Sequence, residues 1–120
     1  MALVGGGYIA VEFAGVLQAL GCRVDLYVRG KRLLARSDAE LAERLQANYH
    51  QQGIGLRFGY TLAGIEGEPG ALRLRNSAGE TTDDYAHVFL ATGRSANSRG
   101  IGLEEAGVAL DARGNVEVDA

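Results

Sequence analysis

The segment Val4-Gly5-Gly6-Gly7-Tyr8-Ile9-Ala10 constrains this chain more than any other. Three successive glycines stand between an apolar stretch and a helix-forming one, so the backbone is expected to turn sharply from strand into helix. Gly5, Gly7 and Ala10 match the spacing G-x-G-x-x-A, and each position has its own physical reason. The first glycine permits the turn, and the second lets a pyrophosphate approach the backbone. The small third residue brings the helix close to the strand. N–H groups that open a helix have no partner inside it, and the helix dipole adds partial positive charge, so an anion suits that end. A glycine turn that binds nothing is the plainer alternative. The order strand, turn, helix, second strand favours the nucleotide reading.

That order continues along the chain. Ala2 to Val4 is a short apolar strand, expected to have begun before the first residue shown. Ile9, Phe13, Val16, Leu17 and Leu20 recur at helical spacing over residues 8–20 and are expected to face a sheet, with Gly21 ending the helix. Residues 23–28 alternate, with Val24, Leu26 and Val28 on one side, as in a strand. A polar loop, 29–37, leads to a helix over 38–52. Ser37 and Glu40 have the spacing of a capping box, and Leu41, Leu45, Asn48 and Tyr49 share one face. Gly53 stops this helix and 54–58 is a third strand. The sequence β-α-β-α-β calls for a parallel sheet with right-handed crossovers.

The pattern then changes. Residues 61–66, 71–75 and 80–85 are expected to be three short strands, separated by Gly67-Glu68-Pro69-Gly70 and Asn76-Ser77-Ala78-Gly79. Such close spacing implies an antiparallel meander in place of a crossover helix. Residues 87–91 return as a fourth parallel strand, apolar as a buried strand should be, and end in Thr92-Gly93-Arg94. A short turn at 103–106 and an extended piece at 115–118 follow. The expected fold is α/β, a Rossmann-like parallel sheet with flanking helices and a three-stranded antiparallel meander. It occupies 1–120 as one domain.

Composition narrows the function. A net charge of −3 gives no reason to expect nucleic acid or a membrane surface as partner. No apolar run reaches the length of a membrane span, and a cytoplasmic setting is expected. Cys22, the single cysteine, excludes an internal disulfide and a Cys-x-x-Cys centre; it is expected to be a small packed residue. His50 on a helix and His87 opening a strand do not suggest catalysis, and no metal site is expected.

The residue after the second strand selects the adenosine ribose in dinucleotide folds: an acid favours NAD, while arginines pair with the 2′-phosphate of NADP. Here Val28 is followed by Arg29, Lys31, Arg32 and Arg36, and no acid occurs until Asp38. Arginine forks match a phosphate bidentately, so NADP(H) is the favoured cofactor; a solvated basic loop is the alternative.

Gly5-Gly6-Gly7-Tyr8-Ile9-Ala10-Val11-Glu12-Phe13-Ala14-Gly15, the Arg29 cluster and Ala91-Thr92-Gly93-Arg94-Ser95-Ala96-Asn97 resemble the pyridine-nucleotide-disulfide oxidoreductases, with wording closest to the glutathione reductase branch. The resemblance covers nearly the whole chain but only the central NADPH domain of such enzymes. It implies that Gly5, Gly6, Gly7, Tyr8, Ile9, Ala91, Thr92 and Gly93 surround the nucleotide, and that Arg29, Arg32 and Arg36 serve its 2′-phosphate. Tyr8 would cover the nicotinamide pocket beside the flavin, and Glu12 would pair with a lysine of an FAD domain. Two departures stand out: Ala35 occupies the usual place of the second phosphate arginine, and Ala96 that of a proline. The first leaves the strength of NADP preference open. No catalytic residue is expected within 1–120, because a redox-active cysteine pair, an FAD fingerprint and a His-Pro dyad are missing. The chain is therefore expected to be one domain of a larger flavoenzyme, monomeric by itself, whose FAD and dimerisation domains make a homodimer. NADPH would pass hydride to FAD and onward to glutathione disulfide. An NADH-using relative such as dihydrolipoyl dehydrogenase, or a free-standing nucleotide-binding module, are the competing expectations.

Overall fold

The structure is a computed structural model and describes residues 1–118. Its elements run β1 (Ala2–Val4), α1 (Tyr8–Ala19), β2 (Asp25–Val28), α2 (Ala39–Gln51), β3 (Gly55–Phe58), β4 (Leu62–Glu68), β5 (Ala71–Asn76) and β6 (Val88–Leu90). One sheet has the order β3-β2-β1-β6, with every neighbouring pair parallel. The other is the antiparallel hairpin β4-β5.

Handedness explains which layer lies where. The chain steps from β1 to β2 to β3 in one direction, so right-handed crossovers put α1 and α2 on the same face. The return from β3 to β6 runs the opposite way, which sends the hairpin to the other face. Side-chain alternation along the strands follows suit. Leu3, Leu26 and Val28 pack with Ala10, Val11, Ala14 and Tyr49 on the helical side. Ala2, Val4 and Tyr27 pack with Leu74 and Tyr85 on the hairpin side. Cys22 is half-buried against the helical core, as a packed thiol.

The helix faces differ from the sequence expectation. In α1 the residues buried against the sheet are Ala10, Val11 and Ala14. Of the expected set, Leu17 packs half-buried beside them and Phe13 reaches β6, while Ile9, Val16 and, at the C-cap, Leu20 are exposed. Small side chains let this helix lie close to β1, which the larger ones would prevent. Phe13, partly exposed, meets the sheet at its edge, stacking on Phe89 of β6 with ring centroids 4.7 Å apart. In α2 the inner face is Ala42, Leu45, Gln46 and Tyr49, and Leu41 is exposed. The cap is also different: Asp38, not Ser37, accepts the N–H of Leu41 at 3.0 Å.

The expected third meander strand is reduced. Residues 80–85 run beside β5 without forming a continuous strand: the ladder is reduced to two isolated bridges, Leu72 with Tyr85 and Arg75 with Thr81. Single backbone bonds such as Thr82 N–H to Leu74 O, and the Arg73–Asp84 ion pair, supplement them. Thr82 explains part of this, since its Oγ1 takes the N–H of Leu74 in place of a regular ladder. The segment is nevertheless anchored. Tyr85 is buried and its hydroxyl donates to Asp25 Oδ2 at 3.0 Å, so the Tyr27 hydroxyl, 2.8 Å away, must be the donor to Tyr85. Asp25 is buried in β2, with Arg23 and Arg57 at 3.7 and 3.6 Å. Burial, then the hydrogen bonds from Tyr27 and to Asp25, push the Tyr85 phenol well above its ordinary pKa of 10.0.

Candidate functional site

In this sheet order the direction of winding reverses between β1 and β6, and open α/β sheets form a ligand crevice outside the strand ends at such a point. Three segments meet there: the turn after β1, the loop after β2 and the chain leaving β6.

The glycine turn is held from both sides. Gly5 has φ +145°, and a Cβ on it would lie 2.3 Å from the carbonyl oxygen of Ala91. Any other residue would be strained and would collide with that backbone. The N–H of Ala91 in turn donates to Val4 O at 2.8 Å, extending the pairing of β1 with β6. On the opposite flank a Cβ on Gly6 would come within 2.7 Å of Val28 Cγ1. Gly7 is different, because nothing lies within 4 Å of where its Cβ would be. Its backbone is ordinary extended, φ −87° and ψ 177°. Glycine is thus required at Gly5 and Gly6 by the protein's own packing. At Gly7 the protein leaves open space, as close approach of a ligand to the backbone requires.

Gly7 is also the N-cap of α1, with no side-chain cap bond. No acid occupies the first turn, and Glu12 lies in the second. The positive end of the helix therefore meets neither a capping side chain nor a carboxylate of its own first turn, which suits an incoming anion. Tyr8, 63% exposed, and Ile9 open the helix beside the turn.

The basic loop is only partly as expected. Arg29 directly follows Val28, whose side chain flanks Gly6, so its backbone reaches the same edge as the glycine turn. It is exposed, as is Arg36. Arg32, by contrast, turns back on its own loop and donates through Nη2 to the carbonyls of Ala35 and Ser37, at 2.8 and 3.2 Å. It stiffens the loop in this arrangement instead of facing outward. Thr92 and Gly93 continue exposed from Ala91, and Gly93 takes φ +128°.

Sequence reasoning missed three contributors. Val28 makes Gly6 obligatory. Leu34 donates its N–H to Gly6 O at 2.7 Å and is the positive-φ residue other than glycine among those described, at 48°. Gln46 on α2 accepts the N–H of Leu33 through Oε1 at 2.8 Å. For Gln46 a signal existed: it stands four residues after Ala42 and three before Tyr49 on the inner face. For Leu34 the sequence carries none. Two concavities lie elsewhere, one along Arg73 and Thr81 to Asp84, the other along His50 and Gly53 to Arg57. Neither includes a helix start or a glycine turn of this kind.

The family model of pyridine nucleotide-disulphide oxidoreductases matches residues 1–120. Glutathione reductase of Burkholderia cepacia is 41% identical over 119 residues, covering 99% of this chain and 26% of that protein. Dihydrolipoyl dehydrogenase of Chlamydia muridarum is 30% identical over 120 residues, covering 100% of this chain and 25% of that protein. Among solved structures, LpdA from Mycobacterium tuberculosis superposes with a TM-score of 0.88 at 24% identity, over 98% of this chain and 26% of that one. The chain thus spans about a quarter of the length of the relatives it matches.

Proposed function

The chain belongs to the pyridine nucleotide-disulphide oxidoreductase family, and we propose that it is the NADPH-binding domain of a larger flavoenzyme of that family. The observation that carries this reading is the asymmetry of the glycine turn. Gly5 and Gly6 are closed in by Ala91 and Val28, while Gly7 opens onto empty space at an uncapped helix start. A pyrophosphate fits there, with the helix N–H groups as donors. Arg29 and Arg36, exposed on the loop after β2, take the 2′-phosphate, and the lack of an acid between Val28 and Asp38 disfavours a bare ribose.

Bound NADPH supplies a hydride, and in the parent enzyme an FAD held outside this chain receives it before electrons reach a disulfide. The residues of this chain bind and orient. The glycine turn fixes the pyrophosphate, the arginine loop fixes the adenosine end, and Tyr8 and Glu12 lie on the side where the flavin domain would meet α1. The apolar residues that α1 exposes, Ile9, Phe13, Val16 and Leu20, agree with further protein covering that helix. Glutathione disulfide is the substrate we favour, on the higher identity to glutathione reductase than to dihydrolipoyl dehydrogenase. A cytoplasmic setting and a homodimeric parent belong to the same proposal. No helix among the described residues is long and apolar enough to cross a membrane.

Replacing Arg29 by Ala tests the cofactor assignment. Loss of one charge-assisted contact, about 1.5–3 kcal/mol, weakens NADPH binding roughly tenfold or more and leaves NADH nearly unchanged. Equal losses for both nucleotides would refute the phosphate role.

A further inference from the structure

The loop that carries the arginines is not a free surface loop, and the way it is fastened has a consequence for the glycine turn. Leu34 sits at φ 48°, a left-handed conformation that a residue with a Cβ adopts only when its surroundings hold it there. Surrounding contacts hold it there. Its N–H donates to Gly6 O at 2.7 Å and its side chain packs against the helical core. The residue before it, Leu33, is fully buried and gives its N–H to Gln46 Oε1 at 2.8 Å. Two consecutive amides are thereby tied to two different elements, one to the turn after β1 and one to α2.

The bond to Gly6 does more than anchor the loop. The carbonyl of Gly6 and the N–H of Gly7 belong to one peptide plane, and in a trans peptide they point in opposite directions. No cis peptide occurs among the described residues. Holding Gly6 O toward the loop therefore turns the Gly7 N–H away from it, at the glycine whose surroundings are open. One hydrogen bond sets the orientation of a backbone donor in the glycine turn and the position of the basic loop together.

We propose that Gln46 and Leu34 are positioning residues for cofactor selectivity: Gln46 braces the loop at Leu33, Leu34 clips it to Gly6, and the spacing between the pyrophosphate turn and the 2′-phosphate arginines follows from the pair. The inference rests on the NADPH-binding reading above. Neither side chain touches the nucleotide in this account; they act through Gly6 and through the loop that bears Arg29 and Arg36.

The test is the ratio of NADPH to NADH affinity, measured by calorimetry on the 120-residue chain and on three variants. Gln46→Met keeps the volume and removes the acceptor. Loss of this one bond lowers the ratio about three- to tenfold, mainly through NADPH. Gln46→Glu retains an acceptor oxygen and recovers at least half of that loss on a logarithmic scale. Leu34→Gly keeps the N–H that bonds Gly6 O but loses the packed side chain that holds it in place, so it lowers the ratio in the same direction as Gln46→Met. Should Gln46→Met fail to fold, an unchanged ratio in Leu34→Gly alone overturns the proposal. Amide exchange at Leu33 quickens in Gln46→Met while the strand amides of Leu3 and Leu26 stay protected. A wild-type preference for NADPH that survives both Gln46→Met and Leu34→Gly unchanged overturns this proposal alone. A wild type with no preference overturns the NADPH reading and this proposal with it.

Discussion

The carbonyl oxygen of Ala91 lies 2.3 Å from the position a Cβ would take on Gly5, so the end of β6 and the turn after β1 exclude any side chain between them. This contact closes one wall of the crevice and makes Gly5 a structural glycine. Gly5→Ala adds both that clash and a disfavoured φ, and lowers stability by more than about 2 kcal/mol. Urea denaturation followed by circular dichroism measures it. A variant as stable as the wild type would mean that β6 can move away from β1, against the register seen here.

Gly7 behaves in the opposite way. Its extended backbone and the open space around it accommodate valine, so Gly7→Val loses no more than about 1 kcal/mol of stability, from its poorer N-cap. The new side chain fills the approach to the backbone, and NADPH and NADH both weaken together. Titration of the folded variant checks this, and unchanged affinity for either nucleotide would remove the pyrophosphate from this turn.

Removing the Tyr85 hydroxyl leaves buried Asp25 and Tyr27 each short of a partner. Tyr85→Phe therefore costs roughly 1–3 kcal/mol, read from the denaturation midpoint. A loss below about 0.5 kcal/mol would show that Arg23 and Arg57 suffice for Asp25.

Tyr85 also governs the alkaline limit of stability. Burial raises its pKa, and it raises those of Tyr49 and Tyr60 as well. A group whose folded pKa exceeds the unfolded one stabilises fully below the unfolded value, near 10, and loses that contribution as pH climbs towards the folded value. Stability is therefore flat in this respect up to about pH 10 and declines above it. Absorbance at 295 nm should show these three phenols ionising late, together with unfolding. Early, independent ionisation of every tyrosine would contradict the buried network.

Much of this was legible in the residues. The glycine turn, the parallel strands and the basic loop all depend on local pattern, and the observed elements lie within about two residues of the expected ones, as assignment methods themselves vary. The inner face of α1 was legible only in part: Leu17 and Phe13 do pack on the sheet side, but the helix is apolar on more than one side and spacing alone does not give Ala10 and Ala14 the closest places. Close packing on β1 chose the small residue. The third meander strand is present only as separate backbone pairings at Tyr85 and Thr82. There the Thr82 hydroxyl takes the Leu74 N–H and the Tyr85 hydroxyl bonds Asp25, side-chain bonds that no alternation rule anticipates. Arg32 was assigned to a phosphate from charge and position, yet its guanidinium is engaged by Ala35 and Ser37 carbonyls. Leu34 adopts a backbone normally left to glycine, under tertiary contacts that only the folded chain supplies.

The measurement that bears most directly on the whole account is a titration of the chain with NADPH and with NADH across a salt series. One or two contacts to the extra phosphate, at about 1.5–3 kcal/mol each, predict NADPH binding at least roughly tenfold tighter at low salt. That preference should shrink as salt rises, since Arg29 and Arg36 are exposed and their attraction is screened. Equal affinities at every salt concentration would contradict the assignment of the arginine loop, and no binding of either nucleotide would contradict the glycine turn as a phosphate site in this chain.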